Sequence, residues 1–212
     1  FYKLRDIGLP EHAFHATRRG NWLTVYPKTI EREQLQTLIA ERIGEFVFDI
    51  GTTKRSLVEV VAEHLWNRKE MIATAESCTA GKLSSWFTSI SGSSGYYQEG
   101  AIVYSNEAKN KYCGVSMDLI HTQGAVCKQV AIDLARGIQE RSGATWGTGI
   151  TGIAGPGGGS IEKPVGTVHI AVHGYGQSHH AHCQFNGTRE QVTDQACGKV
   201  VFMLLKAIKE QT

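Results

Sequence analysis

From residue 56 onward the apolar positions alternate between a helical and a strand period. Leu57, Val60, Val61, His64 and Leu65 fall at i, i+3, i+4, i+7 and i+8, one face of a helix that opens at a Ser56–Glu59 capping box. The pattern then predicts a short strand over 71–75, a helix over 79–90, a Ser/Gly turn over 91–95, a strand over 97–105 and a helix from Asn106. Another helix is expected over 127–142, followed by a strand ending at 153 and a glycine-rich loop over 154–164. Strands over 165–173 and 178–185, joined around Gly174 and Gly176, read as a hairpin. Thr188 and Gln191 fit a second capping box, and Val192, Ala196, Val200, Leu204 and Ile208 form the apolar stripe of a closing helix. Strands that alternate with helices before two strands pair late predict an α/β fold, a three-layer α/β/α domain with a mixed sheet.

The first 50 residues have a different texture. "NWLTVYPK" (21–28) reads as a strand, and "EREQLQTLIAERIGEF" (31–46) as an amphipathic helix with Leu35, Leu38, Ile39 and Ile43 on one face. "DIGTTKR" (49–55) reads as a linker. The expected organisation is a small, incomplete N-terminal α+β appendage over 1–50 and a main domain over 51–212. The start "FYKLRDIGLPEH" lacks an initiator Met and an apolar signal segment, so a fragment or processed form without a secretory leader is expected.

Charge and cysteine usage narrow the function classes. The 22 basic and 20 acidic side chains leave a net charge of +2, too balanced to call for a nucleic-acid or membrane partner. Five widely spaced cysteines (78, 113, 127, 183, 197) without a CxxC pair point to free thiols and a cytoplasmic protein. The run His179-His180-Ala181-His182 is expected to be a solvated strand edge, because no familiar metal-ligand spacing accompanies it.

Chemistry concentrates in four stretches. In "TAESCTAG" (74–81) a strand meets a helix at Glu76-Ser77-Cys78-Thr79. The stretch is not a phosphate-binding P-loop: Glu76 stands where its first glycine belongs, and Leu83 where its metal-binding hydroxyl belongs. It does fit a nucleophile turn, in which a helix start offers unpaired N–H groups beside a serine. That serine, Ser77, needs a base, and lysine is the available type: Lys82, three residues past Thr79, or Lys109 in "AIVYSNEAKNK", which parallel strands could bring to the same sheet edge with Tyr104. On spacing alone the favoured reading of Lys109 is a solvated helix residue beside Glu107. Gly155, Gly157, Gly158 and Gly159 surround Pro156 in a loop that lets backbone approach an anion closely. Arg189 stands at the first position of the last helix, where a cation is not the dipole's preference; it is an ordinary surface arginine or the neighbour of a bound anion.

Taken in order, "ATAESCTAGKL", "GSSGYYQEGAIVYSNEAK", "HTQGAV", "GITGIAGPGGGSIEKPVGTVHIAV" and "GTRE" resemble the CinA C-terminal domain family over about 56 to 210. The resemblance implies a nicotinamide-nucleotide amidase (an NMN deamidase), hydrolysing nicotinamide mononucleotide to nicotinate mononucleotide and ammonia. It implies Ser77 as nucleophile, Lys109 as its base, Tyr104 assisting, and Arg189 tied to the active site and suited to the 5′-phosphate; Lys82 is then demoted. Cys78, Thr79 and Gly81 at the helix start and the glycines of 155–159 are the candidate backbone donors. No cofactor and no metal are implied. The expected partners are a small-molecule nucleotide and further copies of the chain. A non-catalytic nucleotide-binding or regulatory module of the same family is the alternative. Two positions depart from the family pattern: Ala80 replaces a glycine, and Cys127 a serine. Longer members carry an upstream molybdopterin-binding-like domain, and residues 1–55 resemble the linker region that follows it.

Overall fold

The computed structural model describes residues 14–19, 22–43, 47, 49 and 55–211, with side chains from residue 25 onward except those of 42 and 43. They divide into two compact units, the first ending at Arg55 and the second beginning at Ser56. In the first unit strands β1 (Phe14–Arg19) and β2 (Trp22–Pro27) pair antiparallel and helix α1 (Arg32–Ile43) follows. Leu35 is buried in α1, with Leu38 and Ile39 half-buried beside it. Most of the expected 49–55 linker lies outside the described residues.

The second unit carries α2 (Leu57–Arg68), β3 (Ile72–Glu76), α3 (Lys82–Thr88), β4 (Tyr97–Ile102), α4 (Asn106–Cys113), α5 (Met117–Gln123), α6 (Lys128–Ser142), β5 (Trp146–Gly152), β6 (Thr167–Gly174), β7 (Gln177–Gln184) and α7 (Arg189–Glu210). The sheet order is β4-β3-β5-β6-β7; β3 runs parallel to β4 and β5, while β6 and β7 are antiparallel additions. This is the expected three-layer α/β/α architecture with a mixed sheet.

The layers follow from strand alternation. Ala73 and Ala75 of β3 point into an apolar cluster with Cys113 of α4, Ile120 of α5, and Val130, Leu134 and Ile138 of α6. Thr74 and Glu76 point the other way and bond α3. Helix α6 lies unusually close to the sheet. A β-carbon on Gly147 or Gly149 would come within 2.0 Å of Ala135 O or 2.3 Å of Ala131 O, so these β5 positions must lack side chains.

Both expected capping boxes are present. Ser56 N donates to Glu59 Oε2 and Glu59 N to Ser56 Oγ; Thr188 N donates to Gln191 Oε1 and Gln191 N to Thr188 Oγ1. The β6–β7 hairpin closes through Tyr175 (φ +51°) and Gly176 (φ +74°), the paired positive φ values that suit strand twist. Three elements depart from expectation. Helix α3 starts at Lys82, because Ala80 and Gly81 are both left-handed. Strand β4 ends at Ile102, beyond which the chain turns into α4 at the Ser105 cap. Helix α5 was not anticipated, although Ser116 caps its start and Gly124 ends it.

The histidine run lies on β7, an edge strand of the sheet as expected, and part of it also packs against β6. His179 and His180 are half-buried, and His182 is exposed. His169 Nδ1 lies 3.0 Å from His180 Nε2, and the His169 and His182 rings stack in parallel at 4.5 Å. Among the described residues no group of three or more His, Cys, Asp or Glu side chains is arranged to hold a metal ion. No described helix is long and apolar enough to cross a membrane.

Two predictions follow from these packing details. Burial, with His182, His180 and Lys163 adding repulsion, pushes the His169 imidazole down from 6.5 to about 4. The unfolded chain therefore binds the extra proton between those values, and stability should fall as pH drops from 6.5 toward 4. After allowance for solvent screening, His169→Gln should remove roughly 1 kcal/mol of the stability lost between pH 7 and 4.5 in urea unfolding; an unchanged pH slope would refute this. Separately, Cys127 stands at the N-cap of α6 without a side-chain cap bond. Cys127→Ser should raise unfolding stability by about 0.5–1 kcal/mol, and a neutral result would show the hydroxyl cannot reach an N–H of the first turn.

Candidate active site

The parallel register brings the working loops together. Glu76 pairs with Ile102 on one side and Ile150 on the other. The ladder continues one step further: Ser77 N donates to Ile150 O at 3.0 Å, and Val103 N to Glu76 O at 2.8 Å. Ser77 thus leaves the sheet between its two parallel neighbours, at the carboxyl edge. The chain passes from β3 to β4 through α3 on one face and returns to β5 through α4–α6 on the other. Ser77 therefore sits where the connections switch sides, the usual ligand position in an open α/β sheet.

The turn after Ser77 leaves a small set of donors. Ala80 N bonds Ser77 O, Lys82 N bonds Thr79 O, and Gly81 N bonds Glu76 Oε2. Gly81, expected among the donors to substrate, has its N–H committed. The N–H groups of Cys78 and Thr79 donate to no described group. Thr79 Oγ1 is buried with no hydrogen-bond partner among the described residues. Ser77 is 8% exposed, and its hydroxyl is not tied by any hydrogen bond to a described group.

Lys109 is 2% exposed, which excludes the solvated-helix reading. Its Nζ donates to Val103 O and Tyr104 O at 3.0 Å each, and to Ser105 O at 3.4 Å. Burial lowers its pKa from the ordinary 10.5, while interactions with Cys78, Glu107 and Cys113 oppose the shift. The Cys78 thiol is itself pushed up to about 12, chiefly by burial, and it senses both Arg189 and Lys109. Both cations are therefore within electrostatic reach of Cys78.

Arg189, at the start of α7, straps two of these loops. It donates from Nη1 to Gly155 O at 3.0 Å and from Nη2 to the Tyr104 hydroxyl at 3.1 Å. Tyr104 is 58% exposed. The glycine-rich loop is closed at its neck by Ile153 N to Thr167 O and Gly166 N to Ile153 O. Within it, Gly155, Gly157, Gly158 and Gly159 donate their N–H groups to no described residue. Lys163 Nζ donates to Gln123 O and Thr151 Oγ1 to Ala125 O, so the turn after α5 is pinned to the same edge. Sequence reasoning missed these two straps, since their acceptors are backbone carbonyls. Lys82 is turned away: its Nζ pairs with Asp194 at 2.7 Å and Thr193 Oγ1 at 2.8 Å, joining α3 to α7.

A mixed open sheet with a serine turn, a buried lysine and a glycine-rich loop at one edge defines an α/β protein with a candidate site at that edge. The chain belongs to the CinA C-terminal domain family, whose model matches residues 54–208. It is 46% identical over 163 residues to a CinA-like protein of Chlorobium chlorochromatii, covering 76% of this chain and 38% of that one. It is 41% identical over 175 residues to a CinA-like protein of Anaeromyxobacter sp., covering 81% and 42%. The chain thus spans about two fifths of the length of the curated relatives it matches. Among solved structures it resembles the competence/damage inducible protein CihA from Agrobacterium tumefaciens, with TM-score 0.68 and 34% identity over 75% of this chain and 99% of that one. It also resembles the competence damage-inducible protein A from Klebsiella pneumoniae, with TM-score 0.71 and 29% identity over 74% and 97%.

The departure at position 80 now has a physical meaning. Ala80 has φ +51°, a conformation that costs an L-residue about 1–2 kcal/mol. Ala80→Gly should therefore stabilise the unit by about 0.5–1 kcal/mol once the greater freedom of unfolded glycine is counted, read as a raised denaturation midpoint. A lower midpoint would mean that the Ala80 methyl makes packing worth more than the strain.

Proposed function

We propose that this chain is an amidohydrolase that converts nicotinamide mononucleotide to nicotinate mononucleotide and ammonia through Ser77. The observation that carries the reading is the meeting of an untethered Ser77 hydroxyl, a buried lysine of lowered pKa and two unpartnered N–H groups at one sheet edge. Ser77 Oγ attacks the carboxamide carbon while its proton passes toward Lys109 Nζ. The N–H groups of Cys78 and Thr79, with the orphan Thr79 hydroxyl, are the candidate donors to the oxyanion. Collapse breaks the C–N bond, and the lysine's proton leaves with ammonia. Water then hydrolyses the acyl-serine, releasing the carboxylate and restoring Ser77.

Lys109 suits this role because its three acceptors are unequal. A neutral amine has two N–H donors, which can keep Val103 O and Tyr104 O while the 3.4 Å bond to Ser105 O is released. Tyr104 and Arg189 complete the reacting face. The glycine loop 155–159, with its free N–H groups, is the candidate phosphate cradle, and Arg189 holds Gly155 in place beneath it.

The strained Ala80 favours a second reading, a nucleotide-binding module without turnover, since the strain lies one residue from the proposed donors. The two readings separate in one assay. Wild type and Ser77→Ala are incubated with nicotinamide mononucleotide, ammonia is measured, and folding is checked by circular dichroism. Release by wild type alone supports the amidase; equal release by both removes Ser77 as nucleophile. Binding without release by either selects the module. In the active protein kcat/KM should rise with pH through an apparent pKa below 10.5, as Lys109 loses its proton. Lys109→Met should cost about 10²–10⁴-fold in kcat/KM and abolish that ascending limb.

A further inference from the structure

Glu76 is fully buried on the last position of β3, one residue before the proposed nucleophile. No salt bridge among the described residues reaches it. Its charge is met instead by four donors. Oε2 accepts from Gly81 N and Leu83 N, each at 3.0 Å, and Oε1 from Ser84 N at 2.8 Å and Ser84 Oγ at 2.6 Å. Four bonds fill the lone-pair sites of a carboxylate. The direction of a longer chain follows. Ser84 has one hydroxyl proton and gives it to Glu76, so Thr74 Oγ1, 2.9 Å away, donates to Ser84. Tyr97, 2.8 Å from Thr74 Oγ1, must then donate to Thr74.

This arrangement does more than cap α3. The N-cap residue Gly81 has no side chain to serve the helix start, so Glu76 reaches across from the strand. The bond from Gly81 N to Glu76 ties residue 81 back to residue 76 and closes the loop that contains Ser77, Cys78, Thr79 and Ala80. It holds a left-handed pair, Ala80 and Gly81, that would otherwise relax. It also takes up the N–H groups of residues 81, 83 and 84. The free donors left in this stretch are those of Cys78 and Thr79.

We infer that Glu76 is a positioning residue for the reaction: its carboxylate, through the Gly81, Leu83 and Ser84 bonds, fixes where the Cys78 and Thr79 N–H groups stand relative to Ser77 Oγ. The inference rests on the amidase reading. It assigns Glu76 to alignment in the transition state and not to substrate binding. A glutamine at this position has a similar shape but only one acceptor oxygen, and its amide N–H₂ would face two of the present donors.

The test combines kinetics with amide NMR on Glu76→Gln and Glu76→Asp. In Glu76→Gln, kcat for nicotinamide mononucleotide should fall about 100-fold, the scale of a misplaced oxyanion donor, with KM within about threefold of wild type. The ascending pH limb set by Lys109 should stay where it is, because Glu76 is not the base. The amide resonances of Cys78 and Thr79 should shift along with those of Gly81, Leu83 and Ser84. A kcat within threefold of wild type, or a loss carried by KM alone, overturns the inference. If Glu76→Gln does not fold, the same readings are taken on Glu76→Asp, which keeps the charge but shortens the reach. If wild type releases no ammonia the amidase reading fails, and the NMR arm still decides the geometry: unmoved Cys78 and Thr79 amides in the folded variant refute the positioning role, and shifted ones support it.

Discussion

The site depends on a backbone ladder that runs one residue past its strands. Ser77 N bonds Ile150 O and Val103 N bonds Glu76 O, so β3 stays clamped between β5 and β4 at the point where its chain turns. A parallel register gives all three strands the same direction, and their exits must then share an edge. The two antiparallel additions extend this. β6 begins and β7 ends at that edge, bringing the neck of the glycine loop at Thr167 and the approach to α7 beyond Gln184 alongside Ser77. Arg189 then needs only side-chain reach to join Gly155 and Tyr104.

Polar groups at this edge are sorted by burial. Glu76 takes an interior charge and satisfies it with four donors, which is how a carboxylate can sit in a core without a cation. The opposite end of the sheet solves a similar problem with Glu70. There burial alone would raise the carboxyl pKa, but hydrogen bonds from Trp146, Arg68 and Tyr175 prevail and hold it below its ordinary value. Both ends are thus anchored by satisfied carboxylates. Apart from Thr148 Oγ1 on β5, the unsatisfied groups gather at the Ser77 edge: Thr79 Oγ1 and the N–H groups of Cys78, Thr79, Gly155, Gly157, Gly158 and Gly159 stand beside Ser77 or in the loop strapped to it. A fold that pairs most interior polar groups and leaves donors open at one edge offers a candidate place for an acceptor.

Much of this was legible in the sequence, for identifiable reasons. Capping boxes use residue types at fixed spacing, so Ser56–Glu59 and Thr188–Gln191 could be read directly. The stripes of α2 and α7 follow from a period of 3.6. What escaped depended on contacts distant in sequence. Helix α3 begins three residues late because Glu76 supplies its cap from the preceding strand, where no local pattern records it. The histidine run could be placed on a strand, but His169, its stacking partner, lies on another strand. Lys109 carried no local mark of burial either; "NEAKNK" looks solvated until β4 and α4 fold Val103 O, Tyr104 O and Ser105 O around its ammonium.

That carbonyl cradle raises the sharpest question of mechanism, because carbonyl oxygens favour a charged lysine and a base must be neutral. Two effects oppose each other here. Burial strips water from Nζ and lowers the pKa. The three carbonyls replace part of that water, yet only two do so at a full hydrogen-bond distance. Anionic neighbours would tip the balance toward charge, but Cys78, pushed to about 12, and Cys113, also pushed to about 12 by burial, are thiols at neutral pH and contribute little. Glu107 is the acidic side chain left to favour the ammonium, and it is exposed at the first turn of α4, where solvent screens it. The arrangement suits a lysine that gives up a proton at modest cost while keeping two bonds that aim it. Those bonds are made to backbone at the end of β4, whose register with β3 also sets the position of Ser77, so the nucleophile and its proposed base are held by the same pair of strands.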